Sequence, residues 1–456
     1  MIKSWKICIV VLIFGLMINL ALAFKQGLAR PMTSDAQFYL MIAQSLADGH
    51  GYYLREGFWP DVPTMTRSPA WPFTVSLALR AFRGVAPDVV MRILALTLNS
   101  LVAGLVAVLT VRVLSWNSGK TNIFSWRLMG GIAGIIYILH PQALYLAYGG
   151  GSEILFLVLA LGGTVLLLRE VPVVHSANHH FFLFVGFLFL GLSSLARPNF
   201  LLWIGFLSVI LIGRRLVSQK HDFDKVTGVR TGSVVGKRHF FLVILLAVIF
   251  LLPSFLWSVR NYRICGHFPV LSTLRGQTFY GGNNGIVAND RAQWGYWVFP
   301  NVIPGETPMV ELSKRMSEYE VDAYYNKKGN AYIQAHLMEM PRLWIGKLIR
   351  AYWPLPWKLS VGGCMVGAFR GILYLAALFG LVTGWPRLSK PYLIILAAMV
   401  MVNLVTVVVF WGCSRFAFAV DPFLIPLVVL SLILVREGFT GEDAADGKSV
   451  EQSTLS

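Results

Sequence analysis

Apolar stretches long enough to cross a bilayer recur along almost the whole of this 456-residue chain. A spanning helix needs roughly 20 mostly apolar residues. Ile7 to Phe24, Ile93 to Val111, Leu128 to Ala147, Phe240 to Val259 and Tyr392 to Trp411 approach that length. Ile154 to Leu168, Phe181 to Ala196, Phe200 to Ile212, Val366 to Trp385 and Phe416 to Val435 are further candidates, several of them short. Together they predict an all-α polytopic membrane protein with about ten spans. Arg197-Pro198-Asn199 interrupts the stretch from Phe181 to Ile212, which reads as two tight spans or as one long broken helix. With 56% hydrophobic and only 13% charged residues, the chain does not have the composition of a soluble enzyme.

Lysine and arginine in short loops set the orientation. Lys3 and Lys6, then Arg112, Lys120 and Arg127, fall on one side of the ten-span arrangement. Arg214, Arg215, Lys220, Lys225, Arg230, Lys237 and Arg238, then Arg387 and Lys390, join them there. That side is the cytoplasmic one, and the net charge of +17 reads as topology and contact with anionic headgroups. No nucleic-acid module is visible. The basic start, apolar run and Ala21-Leu22-Ala23 also resemble a signal peptide, but the run is longer than a usual signal core and reads as a retained anchor. The expected organisation is a membrane domain over 1–436 with outer segments at 25–88 and 260–363, and a disordered cytoplasmic tail over 437–456.

The polar mass then lies outside. Asp35 opens the first outer segment and is followed by Phe38 to Ala47, whose apolar spacing predicts a helix lying on the membrane. Asp48-Gly49-His50-Gly51 ends it as a turn, and the two prolines of Arg67-Ser68-Pro69-Ala70-Trp71-Pro72 exclude regular helix and hold an arginine near the surface. The second outer segment carries Leu271-Ser272-Thr273, Gly281-Gly282-Asn283-Asn284-Gly285 and Trp294-Gly295-Tyr296-Trp297. Glu153 stands at the outer mouth of the fourth span, either as a site acid or as a helix-start carboxylate behind a Ser152 cap.

Three stretches carry a family resemblance. They are Asp35-x-x-x-Tyr39 leading through Gly49-x-Gly51-Tyr52 to Arg67-x-Pro69-x-x-Pro72; Arg260-Asn261-Tyr262 with Leu271-Ser272-Thr273 and Gly282-Asn283-Asn284; and Arg415-Phe416 through Asp421-Pro422-Phe423. In order and topology the chain resembles the GT-C glycosyltransferases, close to the family of protein O-mannosyltransferases and the lipid A aminoarabinose transferase. The resemblance implies an enzyme of the inner (plasma) membrane that acts on its periplasmic or extracytoplasmic face. Such an enzyme transfers a sugar, with inversion, from a polyprenyl-phosphate carrier to a glycan, lipid or protein acceptor.

That chemistry needs a base beside the acceptor hydroxyl and cations beside the departing phosphate. Asp35 suits the base, its alternative being an N-cap for the helix that follows. Arg67, Arg415, Arg260 and Arg263 are the outer-face candidates for the phosphate, and the same residues also suit anchoring of helix ends to headgroups. Glu153 is a supporting acid, and a divalent Mg or Mn ion, if any is used, would sit between Asp35 and Glu153. Tyr39, Asn283 and Asn284 lie within the resembling motifs as acceptor or sugar contacts.

Other patterns read as structure. His175, His179 and His180 fall in a cytoplasmic loop. Gly130-x-x-x-Gly134 and Gly380-x-x-x-Gly384 suit close helix packing, and Trp294, Tyr296 and Trp297 suit the membrane interface, with stacking on sugar faces as the alternative. Cys8, Cys265, Cys364 and Cys413 show no metal or redox spacing, with a Cys265–Cys364 disulfide as an alternative. A multi-spanning transporter or a flippase for lipid-linked saccharides is the other functional class, with Arg197-Pro198, Pro253 and Asp421-Pro422 as its helix breaks.

Overall fold

The computed structural model describes residues 2–28, 32–115, 123–168, 177–206, 234–269, 271–353 and 360–440. The expected tail beyond 440, His175 and most of the basic loop after Arg214 lie outside the described residues. The chain opens with α1 (Ile2–Gln26), two outer helices, α2 (Ser34–Ala47) and α3 (Ala70–Ala81), and the long α4 (Pro87–Ser115). Next come α5 (Ile123–Ile138), α6 (Pro141–Tyr148), α7 (Glu153–Leu167), α8 (Ala177–Ser194) and α9 (Val234–Cys265). The large outer segment holds α10 (Arg275–Gly281), α11 (Gly285–Asn289), α12 (Met309–Ser313), α13 (Glu318–Ala335) and α14 (Met340–Tyr352). The chain returns through α15 (Val361–Thr383), α16 (Lys390–Val409), the single turn α17 (Ser414–Ala417) and α18 (Asp421–Thr440).

Among the described residues, six helices are long and apolar enough to cross a membrane: α1, α4, α9, α15, α16 and α18. The expected span Leu128 to Ala147 is instead a bent pair, α5 and α6, turning by 59°. The cause is local. Pro141 has no N–H to continue the helix, and as the residue before proline His140 adopts extended backbone with φ −67° and ψ 113°. The His140 ring then caps α6 by accepting the Gln142 amide at 3.2 Å. Ile154 to Leu168 and Phe181 to Ala196 form the shorter apolar helices α7 and α8, and Phe200 to Ile212 runs into residues that are not described.

Helix α4 is the hub, packed by α1, α5, α7 and α18. Small residues set these distances. A Cβ on Gly134 would fall 2.4 Å from Val11 Cγ1, and one on Gly104 2.9 Å from the Cys8 carbonyl oxygen, so α1 lies against its neighbours closer than larger side chains permit. Gly380 plays the same part between α15 and α18. The four cysteines are free thiols.

Outside, the two polar segments are locked together. Glu318, buried at the start of α13, accepts the Thr64 hydroxyl at 2.8 Å and the Met65 amide at 2.7 Å. Burial pushes its carboxyl up, and those donors together with Thr273 only partly offset the rise. This fixes the backbone two residues before Arg67. Four residues further along α13, Asp322 accepts the Gly276 amide, and burial pushes its carboxyl up to about 6.

Candidate active site

Thr33, with extended φ −61° and ψ 152°, caps α2, and its hydroxyl accepts the Ala36 amide. Asp35 is therefore not the cap. It sits in the first turn, where the macrodipole favours an acid, and its carboxylate turns to two arginines. Oδ1 accepts from Arg67 at 3.1 Å and Oδ2 from Arg415 at 2.7 Å. Burial alone raises the Asp35 carboxyl, but the Arg67 and Arg415 guanidiniums outweigh it and hold it below the ordinary aspartate value. Arg67 is braced by the Phe38 and Tyr39 rings, with centroids at 5.2 and 5.7 Å, which is where the structure puts Tyr39.

Arg415 also donates through Nε to Glu153 Oε1. Glu153, 2% exposed, pairs through the same Oε1 with Arg197 at 2.8 Å. Ser152 precedes it but makes no side-chain cap, so Glu153 serves the ion-pair network more than the helix end. The result is a chain of alternating charge, Arg67, Asp35, Arg415, Glu153 and Arg197, assembled from residues far apart in sequence. Glu153 Oε2 makes no hydrogen bond in it. Burial opposes the Arg415 charge, but the two acids prevail and its pKa lies well above the usual arginine value.

Asp35 and Arg415 line a cavity of about 750 Å³. One wall is α6, through Gln142, Tyr145 and Leu146; the facing wall is the first half of α15, through Gly363, Val366, Gly367 and Arg370. Tyr296, Trp353 and Trp411 supply aromatic surface at the outer side, with Tyr296 and Trp411 edge to face at 5.2 Å. Tyr296 thus borders the cavity, as the sugar-stacking alternative expects. Arg350 also reaches the lining, with its Nε donating to the Trp294 carbonyl at 2.7 Å.

The other expected site residues lie elsewhere. Arg260 packs over the Tyr52 and Trp257 rings and donates to the Thr64 carbonyl at 2.8 Å, bracing the outer loop rather than lining the cavity. Arg263 is exposed on the last turn of α9. Asn283 is buried, with its amide donating to the Phe279 and Val409 carbonyls and its oxygen accepting from Lys347 at 2.8 Å. Asn284 caps α11. Both side chains are buried and bonded to protein groups, Asn283 tying its loop to α14 and α16 and Asn284 capping within the loop.

Both Asp35 oxygens and Glu153 Oε1 are taken by guanidiniums, and among the described residues no three His, Cys, Asp or Glu side chains converge. Sequence reasoning missed Arg197, Arg350, Arg370 and His140 as members of the cavity or its clusters. Arg197 was visible only as a helix break, and Arg370 was visible as a lone charge inside an apolar window.

No protein-family model and no curated protein sequence matches this chain. Solved structures do. The archaeal oligosaccharyltransferase AglB from Archaeoglobus fulgidus, in complex with an inhibitory peptide and a dolichol-phosphate, superposes with a TM-score of 0.52 at 13% identity over 97% of this chain. The apo form of the Archaeoglobus fulgidus enzyme gives 0.52 at 12%. The chain spans about half, 52%, of the length of both. ArnT from Cupriavidus metallidurans, bound to undecaprenyl phosphate, is more distant, with a TM-score of 0.41 at 12% identity over 96% of this chain and 79% of its own. The described helices and the segments between them thus share the fold of about half of the Archaeoglobus fulgidus oligosaccharyltransferase.

Proposed function

We propose that this protein is a membrane glycosyltransferase that moves a sugar from a polyprenyl-phosphate carrier to a hydroxyl or amide of an extracytoplasmic acceptor, with inversion. The observation that carries the reading is the meeting of Asp35 and Arg415 in one cavity walled on one side by an apolar helix. In the reaction the acceptor's nucleophilic atom attacks the anomeric carbon and Asp35 takes its proton. The bond from that carbon to the phosphate oxygen breaks, and the electron pair leaves with the phosphate. Arg415 faces the charge that grows there. The isoprenoid tail lies against Met365 and Val366 of α15, which explains a requirement for the bilayer.

Without donor, both Asp35 oxygens are occupied by guanidiniums. A carrier phosphate competes with Asp35 for Arg415, and its arrival releases Oδ2 to accept a proton. Donor binding thus prepares the base. Glu153 and Arg197 keep Arg415 in position while it changes partners. The step as written is carried by Asp35 and Arg415 without a metal ion.

In this reading the enzyme belongs to the cell inner (plasma) membrane, with the cavity on the extracytoplasmic face, and nucleic acid plays no part. The transporter or flippase alternative rests on helix breaks at Arg197-Pro198, Pro253 and Asp421-Pro422, but Arg197 and Asp421 are held in ion pairs with Glu153 and Arg370. A deletion strain complemented with Asp35→Asn separates the readings. A glycosyltransferase accumulates carrier-linked sugar and lacks one surface glycan or glycosylated product, whereas restored product overturns the proposal.

A further inference from the structure

Arg370 is a charge in the interior of a membrane helix. It lies nine residues beyond Val361 in α15, a rise of about 14 Å. Ionisable groups at such depth are costly and mark functional surfaces. Its side chain is 4% exposed and belongs to the cavity lining. Gly363, Val366, Gly367 and Arg370 recur at three- and four-residue spacing, so the cavity descends one face of α15 and ends on this guanidinium.

The guanidinium is held by a dedicated set of partners. Asp421, fully buried at the start of α18, lies 3.0 Å from Nε through Oδ2 and accepts from the Arg370 NH2 group at 3.5 Å through Oδ1. Tyr374 donates to Asp421 Oδ1 at 2.9 Å and accepts from Arg370. His140 Nε2 stands 3.1 Å from Oδ2, and since Nδ1 accepts the Gln142 amide, Nε2 carries the proton. Arg370 NH1 donates to the Ala351 carbonyl at 3.2 Å. Nε is itself buried against Asp421, whereas the four N–H groups of the two terminal nitrogens meet three acceptors, Ala351, Tyr374 and Asp421. Asp421, by contrast, is saturated. A buried pair of this kind contributes little net stability compared with apolar residues of similar size. What the arrangement provides is a cation held in a fixed place on the cavity wall.

We propose that Arg370 is a second ligand of the donor's phosphate, and that Asp421, His140 and Tyr374 are its positioning residues. This rests on the glycosyltransferase reading above. The phosphate joins an apolar tail to a polar sugar, so it must sit where the apolar face of α15 meets charged groups. Met365 and Val366 lie within one turn and a half of Arg370 on that wall. The turn from Cys413 to Asp421 links the two cations, since it carries Arg415 itself and the acid that orients Arg370.

The test uses the full chain in nanodiscs of neutral phosphatidylcholine, with a polyprenyl monophosphate as probe. Four proteins are compared: the parent, Arg370→Lys, the double variant Arg370→Leu/Asp421→Leu, and Arg415→Ala. The double variant removes the pair as a unit, and its thermal unfolding temperature reports that it is folded. A charged hydrogen bond contributes about 1.5–3 kcal/mol, so the folded double variant should bind the probe about 10- to 100-fold more weakly. Arg370→Lys should recover part of that loss, and KM for the donor should rise more than kcat falls. Parent-like binding by the folded double variant, with Arg415→Ala still defective, overturns the Arg370 assignment alone. Absence of binding by the parent overturns both it and the donor reading. Two competition arms identify the source of the anion. Inorganic phosphate should compete weakly and phosphatidylglycerol not at all; full competition by phosphatidylglycerol would make the site a bilayer-headgroup site and sink the proposal.

Discussion

Two arginine–carboxylate clusters border one cavity, and they differ in how finished they are. At the outer cluster Asp35 is 38% exposed, and Arg415 is shared between Asp35 and Glu153. At the inner cluster Asp421 is fully buried and every oxygen has partners from Arg370, Tyr374 or His140. The first arrangement can exchange a partner at small cost, because solvent and a second acid stand ready to take up the difference. The second cannot, since any unpaired charge there would remain in a medium without water. Chemistry that moves a proton belongs at the exchangeable cluster, and fixed positioning belongs at the saturated one.

This comparison breaks at identifiable points, beginning with the largest expected effect. Asp35→Asn should lower transfer by about 100-fold to 10,000-fold, the usual contribution of a general base. Thermal unfolding should move little, because Asp35 is 38% exposed and solvent takes up the arginine left without its acceptor; activity within tenfold of the parent would falsify the assignment of the base. Asp421→Asn should do the reverse in kind. It leaves Arg370 buried against an uncharged partner and should destabilise the protein by about 3–5 kcal/mol, read as a fall in the unfolding temperature in detergent. An unchanged temperature would mean that the inner cluster is not the rigid one.

A smaller effect separates the two acids of the outer cluster. Glu153→Gln removes one partner of Arg415 and leaves Arg197 facing an amide. Donor affinity should fall by about tenfold or less while the pH dependence keeps its shape, since Glu153 does not take the proton in the mechanism. Tyr374→Phe removes one hydrogen bond to Asp421 and should cost about 1 kcal/mol, without altering kcat at saturating donor.

The pH dependence sharpens the same contrast. Burial pushes the Asp35 carboxyl up, but Arg67 and Arg415 bring it below its ordinary value, so the free enzyme keeps Asp35 ionised as pH falls to about 4. A lowered carboxyl pKa contributes stability above its unfolded value and loses it as pH falls through the folded value. The acid limb of kcat/KM, which reports the free enzyme, should therefore lie below about pH 4. The acid limb of kcat should lie higher, because the donor phosphate has taken Arg415 from Asp35. Coincident limbs would refute release of the base by donor binding.

The membrane fold was legible because lipid imposes a simple length and polarity rule on sequence. Windows such as Ile93 to Val111 and Phe240 to Val259 correspond to helices α4 and α9. The rule failed at Leu128 to Ala147, where composition stays apolar across a 59° bend. His140-Pro141 was the available signal, and an apolar average conceals it. Asp35, Glu153, Arg67 and Arg415 could be nominated singly from position and motif. Arg260, Asn283 and Asn284 could be nominated on the same grounds, and folding turned them to structural duties.

What the sequence determined by itself is the class of solvent, the helical architecture and the set of outer charges from which a site had to be drawn. These depend on composition and spacing, which are local properties. What only the tertiary structure decided is which charges meet. Asp35 and Arg415 are 380 residues apart, and His140 and Asp421 are 281 apart. No periodicity relates residues at such separations. Their encounter depends on how α1, α4, α15 and α18 pack through small residues, and on Glu318 holding the loop before Arg67. The polarity of each side chain was set by the chain; its partner was set by packing.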